Sequence, residues 1–192
     1  MNTPKIVQAS IVDLHKVKGV LTLGFASDAL LRWVFPDPSS YLKSFDIWME
    51  EFSKISFENN IVYSEESFYG SALWHPPGVE FDNSALEPTF DSIPSDRIEV
   101  VIKFFEEFEK YHPDDAWYLP FIAVDPAQQR KGIGSFLLKE ALKMVDERGD
   151  SAYLEASNEQ NKALYERHGF VEIGRVQFED SPPAFPMIRE AR

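Results

Sequence analysis

The chain has 192 residues, with 19 lysines and arginines against 32 aspartates and glutamates, a formal charge of −13. It has no cysteine, which excludes a disulfide framework, a thiolate zinc site, an iron–sulfur cluster and a cysteine nucleophile. The acidic balance argues against a general binder of nucleic-acid backbones, which needs a basic face, and is compatible with a cationic small substrate.

The four histidines, at 15, 75, 112 and 168, show no metal-ligand spacing. No apolar run approaches the roughly 20 residues of a membrane span. Residues 1–14 lack the long apolar core of a secretory leader. With 44% hydrophobic residues, the expectation is one folded, cytoplasmic domain over 1–192 with no metal, membrane or nucleic-acid partner.

Lys5–Ala9 is a short run with strand character. Ser10 and Asp13 read as a helix start, and Leu14, Val17 and Leu21 follow at helical spacing. Asp37-Pro38 reads as a cap with proline at the first helical position. Behind it, Leu42, Phe45, Trp48, Met49, Phe52 and Ile55 form an amphipathic stripe. Ile61–Tyr63 and Phe68–Trp74 are expected to form a hairpin around Ser64–Ser67. His75-Pro76-Pro77-Gly78 stops it, because two prolines remove consecutive donors. Residues 79–95 have no clear period and are expected to be a long loop.

A helix follows from Asp96, with Ile98, Val101, Ile102, Phe105 and Phe108 on its apolar face, and His112-Pro113 ends it. Trp117–Val124 is an apolar strand in which Pro120 marks an edge or a bulge. A helix is expected from Gly132 to Arg148, stopped by Gly149. Ala152–Ser157 reads as a strand, and Ser157 with Gln160 as a capping box for a short helix ending before Gly169. Phe170–Phe178 and Phe185–Ile188 read as the last strands.

The segment from Asp125 to Ser135 joins strand to helix and contains Gly132 and Gly134. Without Cβ atoms, these positions let a ligand approach the backbone. The first N–H groups of a helix point outward, and its dipole adds partial positive charge. Such a turn suits a phosphate or pyrophosphate, with Arg130 and Lys131 adding charge beside it. On the glycines alone, a plain tight turn is equally open. No Gly-Lys-Ser/Thr follows, so it is not a Walker loop, and Leu137 stands where a dinucleotide fingerprint has its third glycine. Asn158, Asn161 and Tyr165 share one helix face, which is either a solvated stripe or part of a site.

Gln129-Arg130-Lys131-Gly132-Ile133-Gly134 matches Q/R-x-x-G-x-G/A, and Asn158 through Leu164-Tyr165-Glu166-Arg167-His168-Gly169-Phe170 matches N-x(6)-Y-E-x-x-G-F. Together they resemble the GNAT superfamily of acyl-CoA-dependent N-acyltransferases over residues 116–174. Phe25, Asp28, Pro36, Trp74–Gly78 and Pro186-Met187-Ile188-Arg189 look like its puromycin N-acetyltransferase-like branch. Arg130 and Lys131 depart from many relatives, which carry glycine at one of these positions. The resemblance implies a single-domain α/β (α+β) fold with a mixed, mostly antiparallel sheet of six to seven strands flanked by helices. It also implies a splay between the fourth and fifth strands, with 1–115 as the acceptor-side half and 116–192 as the acetyl-CoA-binding half.

It implies acetyl-CoA as co-substrate and no metal. Backbone groups of Ile122, Ala123 and Val124 would pair with the pantetheine arm. Gln129, Arg130, Lys131, Gly132, Ile133, Gly134 and Ser135 would hold the pyrophosphate, and Asn158, Asn161 and Tyr165 would line the cofactor side. The implied chemistry is direct attack of a small molecule's primary amine on the thioester in a ternary complex. Tyr165 would be the general acid and a backbone N–H near Val124 the oxyanion donor. Glu155, which alternates away from Leu154 and Ala156, is a candidate base, with His75, His112 and an ordered water as alternatives. Phe25, Asp28, Trp33, His75 and Trp117 are candidate acceptor-site residues. A lysine or N-terminal acetyltransferase and a non-catalytic acyl-CoA sensor stay open as alternatives, as do a monomer and a homodimer.

Overall fold

The computed structural model describes residues 3–192. Met1 and Asn2, which open the stretch expected to carry no leader, lie outside the described residues. Among the described residues, seven strands form one sheet in the order β1-β2-β3-β4-β5-β7-β6. They are β1 Ile6–Gln8, β2 Val62–Glu65, β3 Gly70–His75, β4 Ala116–Val124, β5 Ser151–Ala156, β6 Val171–Glu172 and β7 Phe185–Arg189. Every neighbouring pair is antiparallel except β4–β5. The helices are α1 Leu14–Phe25, α2 Ala29–Val34, α3 Pro38–Glu58, α4 Ile98–Glu109, α5 Ile133–Arg148 and α6 Glu159–Glu166. This is the mixed, mostly antiparallel α/β arrangement expected.

Because strand side chains alternate, the sheet buries both faces. Leu73 and Phe121 pack with Val17, Leu21, Phe45, Met49 and Phe104 of α1, α3 and α4. On the other face, Ala72, Trp74, Leu154 and Ala156 pack with Leu138, Leu142, Val145 and Tyr165 of α5 and α6.

Helix α2 has six residues, too few to show a period in sequence. Its cap is Asp28, whose Oδ1 accepts the Leu30 and Leu31 N–H groups at 3.1 Å each. Residues 83–92 are wound into 3-10 turns rather than left as an open loop. They lie on α3, where Trp48 Nε1 donates to Thr89 Oγ1 at 3.2 Å. The hairpin turns later than expected, since Ser64 stays in the ladder opposite Ser71. Their buried hydroxyls lie 2.8 Å apart and satisfy each other. Leu42 is 56% exposed and Ile102 also reaches solvent, so neither belongs to its apolar face. Asn158, not Ser157, caps α6, its Oδ1 accepting Asn161 N–H at 2.8 Å. The strand expected over Phe170–Phe178 shortens to Val171–Glu172 plus a bridge between Val176 and Ala184. Gly174 follows on this sheet edge, where strand propensity is weak.

Candidate active site

Strand β4 pairs with β3 as far as Val124 but with β5 only at Ala116, Trp117 and Tyr118. Beyond Tyr118 the two parallel strands part. At this point β4 spends two residues, Leu119 and Pro120, opposite Trp74 alone. Such a bulge bends the strand, and Pro120 has no N–H to offer a ladder. The Ile122–Val124 edge that faces the opening therefore has no partner in β5 and is available to an extended ligand.

The turn after β4 is held by its own side chains. Asp125 Oδ1 accepts Ala127 N–H at 2.8 Å, and Gln129 Nε2 donates to Val124 O at 3.4 Å. Lys131 Nζ donates to Gln128 Oε1 at 2.6 Å. Arg130 and Gly132 both have left-handed backbones, φ 63° and 84°. Successive N–H groups in such turns converge into an anion-binding concavity. The conformation costs Arg130 about 1 kcal/mol and Gly132 essentially nothing. The Ile133 side chain is buried, so only its backbone serves the turn. Ser135 Oγ lies 2.7 Å from His168 Nε2, tying the first turn of α5 to the end of α6. On the opposite side, a Cβ on Gly24 would come within 2.4 Å of Ala123 Cβ. The backbone of α1 thus presses directly on β4, a contact that no periodicity announced.

Side chains converge on the opening from the other direction. Tyr118 Oη donates to Glu155 Oε2 at 2.9 Å. Burial pushes the Glu155 carboxyl up to about 7, against the opposing pull of the Tyr118 and Tyr153 phenols. The residue nonetheless keeps some solvent access. Burial also raises the Tyr165 phenol far above its ordinary range, and the Asp28 and Glu155 carboxylates push the same way. Tyr165 is therefore a protonated donor at neutral pH.

The expected acceptor residues divide. Phe25 stands edge-on to Phe121 at 5.5 Å, against the β4 side of the opening. Asp28 gives Oδ1 to the cap of α2 and Oδ2 to the Ser157 hydroxyl at 2.6 Å, so it joins α2 to the end of β5 and offers no free oxygen to an amine. His75 Nε2 pairs with Phe52 O at 3.0 Å, and burial lowers the ring to about 4, which leaves it a neutral core residue. Trp33 is a buried core residue whose Nε1 donates to Asp180 Oδ1 at 2.9 Å. Trp117 sits at the still-paired end of β4, its indole donating to Asp150 Oδ2 at 2.9 Å. Sequence reading missed Tyr118 and Tyr153. The signal that finds them is the β4–β5 register, which sets them face to face.

Residues 108–191, somewhat less than half of the chain, match the model of an acetyltransferase (GNAT) domain. The chain is 28% identical over 150 residues to an uncharacterised N-acetyltransferase of Schizosaccharomyces pombe, covering 68% of this chain and 60% of that one. The matched region thus spans less than two thirds of that relative's length. Among crystal structures, a histone acetyltransferase HPA2 and related acetyltransferase from Corynebacterium glutamicum is 24% identical, with TM-score 0.70 over 100% of this chain and 98% of that one. Arylalkylamine N-acetyltransferase 2 from Aedes aegypti is 14% identical, with TM-score 0.67 over 100% of both chains. These structural likenesses show the GNAT fold.

Proposed function

We propose that the chain is an N-acetyltransferase that moves an acetyl group from acetyl-CoA to a primary amine of a small molecule by direct attack in a ternary complex. The observation that carries this reading is the place of Glu155, the first residue on its face of β5 beyond the last β4–β5 pair, where Tyr118 Oη donates to its carboxylate at 2.9 Å and burial pushes the group up to about 7. The residues fit the co-substrate, because the Ile122–Val124 edge is unpaired and the Arg130–Gly132 turn gathers N–H groups. That edge would hold the pantetheine arm and that turn the pyrophosphate, with Asn158 and Asn161 beside them. Acetyl-CoA, when bound, supplies an already activated thioester. Glu155 would take the proton from the substrate ammonium, a task suited to a pKa near the working pH. Tyr165 Oη would give a proton to the leaving sulfur, and a backbone N–H near Val124 would steady developing negative charge.

One feature favours a small amine over an extended peptide. Phe81 stacks on Phe52 at 4.1 Å, and Thr89 is held by Trp48, so the 79–95 segment packs onto α3 and would narrow the acceptor side. The test is the initial rate of acetyl transfer to polyamines, arylalkylamines and a lysine peptide, by the native protein and Glu155→Gln. Transfer to a small amine is expected, rising as pH passes through about 7, with that rise lost in the variant. Transfer confined to the peptide, or acetyl-CoA binding with no transfer to any amine, overturns the reading.

A further inference from the structure

Tyr118 is the last β4 residue still paired with β5, and it faces Tyr153. Glu155 is the next residue of β5 on the same face, the first beyond the point where the strands part. Register alone therefore sets a phenol on each side of this carboxylate. The Tyr118 hydroxyl reaches Oε2 at 2.9 Å. The Tyr153 hydroxyl is buried and makes no hydrogen bond among the described residues. The His112 ring stands edge-on to both phenols, 4.6 Å from Tyr118 and 4.9 Å from Tyr153, and the His75 ring backs Tyr118 at 5.9 Å. These contacts leave the Tyr118 ring little freedom to turn.

The titratable groups around Glu155 are Tyr118 from β4, Tyr153 from β5 and Tyr165 from α6, with Asp28 from the cap of α2 acting on Tyr165. Behind them stand Tyr111 and His112 from the segment after α4, and His75 from β3. Burial lowers both histidines, so none of these groups is a cation at neutral pH. The Glu155 anion thus depends on neutral donors, and Tyr118 is the one in hydrogen-bond geometry.

We propose that Tyr118 is a positioning residue for acetyl transfer: its hydroxyl fixes the Glu155 carboxylate at the mouth of the split and keeps it an anion that accepts the substrate's proton. The proposal rests on Glu155 acting as the base. Without the phenol donor, burial is opposed only by Tyr153 and the residue's own backbone, and the carboxyl holds its proton to higher pH. The experiment pairs the pH profile of kcat/KM with an NMR titration of the Glu155 carboxyl in the substrate-free protein, assigned with Glu155→Gln. Native, Tyr118→Phe and Tyr153→Phe proteins are compared. Tyr118→Phe is expected to move both midpoints up by roughly one pH unit, with the KM for acetyl-CoA unchanged. Tyr153→Phe is expected to move them less. A Glu155 midpoint unmoved by Tyr118→Phe, with the rate still pH-dependent, overturns the positioning role alone. A midpoint that moves while the rate ignores it overturns the reading of Glu155 as base, and the proposal with it.

Discussion

Residues 122–135 present backbone to the split between β4 and β5, whereas the opposite side presents side chains gathered from α2, β4, β5 and α6. The first side works through dihedral angles, at Arg130 and Gly132, and through a strand edge left without a partner. The second works through buried polar groups whose partners lie far along the chain, 37 residues for Tyr118 and Glu155 and 129 for Asp28 and Ser157. Backbone sites tolerate most side-chain changes outside their special dihedrals. Buried polar sites respond to a single atom, because each unmet partner carries a desolvation cost.

The largest expected effect is on the side-chain half. Tyr165→Phe removes the proposed proton donor and is expected to lower turnover by about 100-fold or more, with acetyl-CoA affinity nearly unchanged. Equal turnover on the true amine contradicts the assignment.

Glu155→Gln sharpens the comparison through stability. Burial pushes the folded carboxyl up to about 7 from an ordinary 4.5, so between those pH values the native state keeps a proton that the unfolded chain releases. Stability from this group is therefore lost as pH rises through 7. The glutamine variant is expected to exceed the native protein by up to about 3 kcal/mol at pH 8 and to match it near pH 4. Urea melts at the two pH values check this, and an identical difference at both contradicts it.

Asp28→Ala frees two helix N–H groups and the Ser157 hydroxyl, an expected loss of about 2 kcal/mol. Asp28→Asn keeps a capping oxygen and is expected to lose less, with no change in amine KM. A raised amine KM in Asp28→Asn at unchanged stability would restore Asp28 as an acceptor residue.

The backbone side gives the smallest effects. Gly24→Ala drives a methyl into Ala123 and is expected to cost about 1–2 kcal/mol. On Gly134, a Cβ meets Leu164 and Val124 at an ordinary 3.7 Å, so Gly134→Ala is expected to stay within about 0.5 kcal/mol. Equal melting temperatures for the two alanine variants would contradict the close approach of α1 to β4.

The same contrast explains what was legible in the sequence. The turn from Asp125 to Ser135 is contiguous, so its glycines and the proline before it could be read in a line. Pro120 likewise flagged the stretch where β4 leaves β5, two residues after the last pair at Tyr118. Ser157 and Asn158 are adjacent cap formers, and local pattern favoured the wrong one. Ser157 is diverted by Asp28, a partner that only the fold supplies. Tyr118 and Tyr153 become a pair only when β4 and β5 are aligned in parallel, and aromatic residues such as Trp33 and Trp117 look alike in sequence whether they line a site or anchor a core.

The measurement that tests the central claim most directly is thermal unfolding with and without saturating acetyl-CoA, for the native protein and Gly134→Glu. Ligand at a hundred times Kd adds about 2.7 kcal/mol, or roughly 5–10 °C for a chain of this size. A rise of that order in the native protein and none in the variant, whose new carboxylate would stand in the anion-binding turn, is the predicted result. An equal rise in both proteins, or no rise in the native one, would contradict the split as the acetyl-CoA site.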